Sequence, residues 1–112
     1  DVVHINDVCN LIKLQIKKIH NVNNLTINAG GGKGNTISLK ELTKICQKIT
    51  SNTIKINSIK NTSEYDIPHY STNNAKVEKI YKWYPQKNIL RIVKDLNKWM
   101  LINKKELKNY IK

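Results

Sequence analysis

The spacing of apolar side chains changes period several times along the chain. Val8, Leu11, Ile12, Ile16 and Ile19 recur at intervals of three and four, which predicts an amphipathic helix ending near His20. Asn6 or Asp7 is placed to cap its start. Leu39, Leu42, Ile45, Cys46 and Ile49 repeat that spacing over about 38–50. Ser38 and Glu41 stand before them as an S-x-x-E capping box. A third helix is expected over about 74–82. The strongest stripe, Ile89, Ile92, Val93, Leu96, Trp99 and Met100, marks a fourth. Asn103 and Glu106 repeat the capping spacing for a short last helix ending near Ile111.

Elsewhere the period falls to two. "DVVHI" (1–5), "LTINA" (25–29) and "TIKINSI" (53–59) are short and rich in branched side chains, and they read as strands or extended segments. "NVNN" (21–24) is a turn signal, and Pro85 breaks "KWYPQ" (82–86). The polar stretch 60–74 is long enough to be a functional loop. Strands alternating with helices predict the α/β class. With neither an internal repeat nor a composition break, residues 1–112 read as a single region.

Charge changes this picture less than its size suggests. The net charge is +12, which raises the possibility of a small basic module that binds nucleic acid. Against it, Arg91 is the only arginine, and the lysines are scattered over every predicted polar helix face. The high Lys, Asn and Ile content has the look of an AT-rich coding sequence. No apolar run approaches the roughly 20 residues of a membrane span. Cys9 and Cys46 fall on predicted apolar helix faces without metal-ligand spacing, so two reduced core thiols in a cytoplasmic protein are expected.

"NAGGGKGNTISLKEL" (28–42) holds all four glycines of the chain and joins a predicted strand to a predicted helix. That position suits phosphate binding. Its spacing does not. For a Walker loop the first glycine would have to be Ile27, and Gly34 stands where the hydroxyl is required. For the dinucleotide fingerprint the third glycine would be Asn35 or Ile37. The reading from spacing is a strand-to-helix turn. His4, His20 and His69 lack ligand spacing for zinc, and no Tyr is followed four residues later by Lys. No catalytic set is complete.

The order of three segments carries a resemblance. "DVVHINDV" (1–8), "INAGGG…ISLKEL" (27–42) and "YDIPHYSTNNAKVEKIYKWYPQKNI" (65–89), followed by a closing helix ending at Trp99, resemble the C-terminal part of NAD-dependent nucleotide-sugar epimerases and dehydratases. These belong to the extended short-chain dehydrogenase/reductase family. Within it, the "D-I-P-x-Y" flavour and the "G-G-G" turn look most like CDP-paratose 2-epimerases.

The resemblance implies the C-terminal substrate-binding lobe of a longer cytoplasmic enzyme of polysaccharide biosynthesis. It implies a nucleotide-sugar substrate, NAD held by an N-terminal Rossmann domain of the parent chain, and a homodimeric parent. By position, Asp66 matches the aspartate that bonds the nucleotide ribose, and Val2 packs near the nucleotide. The arginine that usually precedes Asp66 by about three residues is missing, leaving Lys60 as the nearest cation. Tyr65 replaces the family glycine, and Asn73 the usual aspartate before Lys76.

Overall fold

The computed structural model describes residues 1–22, 24–57 and 63–110. Five α-helices run along it: α1 (Ile5–Lys17), α2 (Leu39–Thr50), α3 (Ala75–Tyr81), α4 (Ile89–Ile102) and α5 (Lys104–Leu107). A 3₁₀ turn covers Lys33–Asn35. Among the described residues there is no strand, so the expected α/β class is overturned: the fold is helical. Residues 1–4, 25–29 and 52–57 lie outside the helices, and the strands expected there are not formed. The last position of the third predicted strand, Ile59, lies outside the described residues.

The helices begin where local chemistry starts them. His4, not Asn6 or Asp7, caps α1: its Nδ1 accepts the Asn6 amide at 3.0 Å. Ser38 and Glu41 close the expected capping box on α2, with Glu41 N donating to Ser38 Oγ and Ser38 N to Glu41 Oε2, both at 3.2 Å. The Ser38 hydroxyl and then its amide hold the Glu41 carboxyl below its usual range. Asn88 Oδ1 caps α4 by accepting the Arg91 amide at 3.0 Å. Asn103 instead turns its amide back onto Trp99 O, so the last predicted capping pattern forms no cap.

The core is small. Leu11 of α1, Val77 and Tyr81 of α3 and Trp83 form it, with Val3, Leu14, Val22, Ile27 and Ile80 packed around them. Lys18 ties the end of α1 to α3, donating to Ile80 O at 2.7 Å with its ammonium 5.9 Å from the centre of the Tyr81 ring. Much of each predicted stripe stays outside this core. Ile12, Ile16 and Ile19 are exposed, and Leu39 is 83% exposed. Cys9 is exposed and Cys46 half-buried, so the expected pair of core thiols is not found. The radius of gyration is 17.4 Å, against about 13 Å for a compact chain of this length. No described helix is long and apolar enough to cross a membrane.

Candidate functional site

Segments far apart in sequence are stitched together around one cleft, mostly by side chains that bond backbone. The Asp1 carboxylate accepts the Gly32 amide at 2.9 Å and the Thr72 amide at 2.6 Å through the same oxygen. The Asn74 side chain makes a two-point bond with Gly30, accepting its amide at 3.1 Å and donating to its carbonyl at 3.0 Å. Buried Asn35 donates to Lys87 O at 2.8 Å, while its own carbonyl accepts the Val2 amide at 3.0 Å. Asp7, 2% exposed, accepts the Gln86 and Lys87 amides at 3.1 Å each. Its carbonyl accepts the Trp83 indole N–H at 2.8 Å.

These ties explain the glycines. A Cβ on Gly30 would strike the Thr72 side chain, and one on Gly31 would strike Val2 O and Asn35. Gly32 has φ +66°, where side chains are strained. The turn is therefore built for close backbone approach between three segments. Gly34, by contrast, has open space around it.

The open cleft between these segments has a volume of about 710 Å³. The Gly31–Asn35 turn, residues 71–75 with Glu78, and residues 84–88 form its walls. Its walls mix apolar surface, including the ring of Tyr84, with the side-chain amides of Asn73, Gln86 and Asn88. Ser71 Oγ is buried in this wall without a hydrogen-bond partner among the described residues. Lys33 lies on the rim and pairs with no carboxylate among the described residues. The Lys87 ammonium points away to Asp95 at 3.0 Å, so only the rest of that residue serves the cleft.

Sequence-predicted site residues fall differently. Val2 is half-buried and works through its backbone, bonding Asn35 O and touching Gly31. Asp66 sits in an exposed turn, its amide bonded to Ser63 O at 3.0 Å, and does not line the cleft. Lys60 lies outside the described residues. The structure thus does not gather Val2 and Asp66 into one side-chain site. Asp1, Asn35 and Asn74, which shape the cleft, gave no periodic or motif signal as ligands. Asp7 read as a cap and proves to be a buried tie.

The glycine turn does not fit NAD. Its Gly30 and Gly32 amides are already taken by Asn74 and Asp1, and a carboxylate rather than a phosphate occupies the turn. No group of three or more possible metal ligands is found among the described residues.

A second concavity, about 580 Å³, lies between residues 3–6 and one face of α4. Beside it His4, Lys87 and Arg91 converge on Asp95. His4 Nε2 lies 3.4 Å from Asp95 Oδ2, Lys87 Nζ 3.0 Å from the same oxygen, and Arg91 Nε 3.0 Å from the carboxylate. Lys87 first and Arg91 second hold the Asp95 carboxyl below its usual range. With Nδ1 accepting the Asn6 amide, a neutral His4 ring carries its proton on Nε2, facing Asp95. Comparisons with protein-family models, with curated proteins and with solved structures give no match to this chain.

Proposed function

We propose that this chain is the substrate-binding part of an NAD-dependent nucleotide-sugar epimerase or dehydratase, and that the cleft receives the nucleotide-sugar. One observation carries the reading. The three segments that resemble the family, 1–8, 27–42 and 65–89, are the ones tied together by Asp1, Asn35, Asn74 and Asp7. The lining suits such a ligand. The side-chain amides of Asn73, Gln86 and Asn88 match sugar hydroxyls, and Lys33 supplies a point charge for a phosphate where the family arginine is missing. Asp66, the ribose ligand that the resemblance implies, lies in its exposed turn outside the cleft lining and is given no contact in this reading.

In this reading the chain binds and orients the substrate. NAD belongs to the Rossmann domain of a parent enzyme and supplies the redox chemistry there; no residue of this chain takes part in that step. The test is calorimetry on the parent enzyme with CDP- and UDP-sugars. Lys33→Ala should weaken binding about tenfold, worth about 1.4 kcal/mol, and Asp66→Ala, outside the cleft lining, should leave it nearly unchanged. Absence of binding heat with either sugar class overturns the assignment. If instead the chain shifts duplex DNA with a steep salt dependence, it is a basic nucleic-acid module.

A further inference from the structure

A second binding surface stands apart from the cleft, and its argument does not depend on the nucleotide-sugar reading. On α4, Ile92, Leu96, Trp99 and Ile102 fall at steps of four, three and three. That is one stripe over eleven residues, about 15 Å of helix. Val3 and Ile5 form the opposite wall of the concavity. Leu96 is 54%, Trp99 52% and Ile102 73% exposed. No other described helix covers them: α2 lies against α4, and α5 follows its end. An apolar trough of this length between two walls is the shape that receives one face of an amphipathic helix.

Charge specifies the occupant. Lys87 and Lys98 line the trough with Asp95, and Arg91 reaches it only through its ion pair with Asp95. Asp95 is already engaged by Lys87 and Arg91, and Lys98 meets no carboxylate among the described residues. The rim is left with a surplus of positive charge on a chain of net charge +12. A second copy would bring the same surplus to the contact and be repelled. A flat anionic bilayer would meet the cations but not reach a floor lying between two walls. We infer that the α4 trough binds an amphipathic helix of a protein partner, its apolar residues at i, i+3, i+4 and i+7 on the trough floor and Glu or Asp along its flank facing Lys98.

The test is fluorescence anisotropy with the full chain and a labelled 16-residue helical peptide carrying Leu at those positions and Glu on both flanks. Two further peptides carry Lys in place of Glu, or the same Leu residues in scrambled order. The acidic peptide should bind about tenfold or more tightly than either control and should weaken with salt. Leu96→Asp should reduce its affinity about tenfold, and Lys98→Glu, an exposed charge reversal that leaves the packing alone, should reverse the preference between Glu and Lys peptides. Binding should move the emission of Trp99 to the blue, a shift lost in Trp99→Phe, while buried Trp83 reports that the fold is intact. Equal binding of the scrambled peptide, or no effect of either substitution, overturns the proposal. So does a Trp99 shift produced by phosphatidylcholine–phosphatidylglycerol vesicles and not by the acidic peptide, or self-association of the chain through this face.

Discussion

Removing the Asp7 carboxylate should cost far more than removing a helix cap. The carboxylate is buried and accepts two backbone amides, Gln86 and Lys87, at 3.1 Å each. Those residues belong to the irregular segment between α3 and α4, where no helix ladder offers the amides another acceptor. A hydrogen bond to a charged acceptor contributes roughly 1.5–3 kcal/mol net. Gln86 is exposed and Lys87 half-buried, so water recovers part of the loss in a truncation. Asp7→Ala is therefore expected to destabilise by about 2–4 kcal/mol, and Asp7→Asn, which keeps an acceptor oxygen but not the charge, by about 1–2 kcal/mol. A capping role predicts something else: about 1 kcal/mol for Ala and almost nothing for Asn. The assay is urea unfolding followed by Trp83 emission in a Trp99→Phe background, with midpoint and slope both fitted. An Asp7→Ala loss below about 1 kcal/mol, or an Asn variant equal to the parent, would refute the tie as the main role of this residue.

Three further outcomes follow from neighbouring features. Gly31→Ala should destabilise by about 2 kcal/mol or more, because its Cβ meets backbone at Val2; Gly34→Ala should be neutral or stabilising by up to about 1 kcal/mol, having open space and no positive φ, and equal losses in urea titrations would contradict the packing of the turn. His4→Ala should cost about 1 kcal/mol by thermal melting, and His4→Asn should restore most of it, since Asn supplies the same capping acceptor. The third concerns acid. Lys87 and Arg91 depress the folded Asp95 carboxyl below its ordinary 3.8, so its contribution is complete above that pH and is lost as pH falls through the lower folded value. Asp95→Asn should flatten the acid limb of the stability profile there, an effect that added salt should mimic; an unchanged limb would show the ion pairs to be idle.

The helices were legible because their signals are local. A stripe at helical spacing and a Ser38–Glu41 box each act within one or two turns, and α1–α4 appear with bounds close to those expected. The strands were not, because alternation describes a segment and says nothing of a partner edge. Ile54 and Ile56 do alternate, and they lie along the face of α2 that carries Leu42 and Cys46 rather than in a sheet. Ile27 packs toward the core while its neighbours stay exposed, as an extended segment would place it, yet no second segment bonds to 25–29 as a ladder.

The cleft was hidden for a different reason. Its ties join residues 31 to 80 positions apart through single side chains that bond backbone, and such pairs leave no periodicity behind. Their chemistry also resembles that of ligand binding. A glycine-rich turn with a carboxylate and an asparagine nearby reads as a site for phosphate or ribose, but here the carboxylate of Asp1 and the amide of Asn74 consume the turn's own donors. Two buried amides aimed at protein oxygens have little left for a ligand. The free chemistry is therefore displaced outward from the turn to the cleft walls: Lys33 and the unengaged atoms of the Asn73, Gln86 and Asn88 side-chain amides. The same separation of roles explains the exposed apolar surface. With the polar ties holding the cleft, the core is reduced to Leu11, Val77, Tyr81 and Trp83, and much of the stripes on α1 and α4 stays exposed among the described residues.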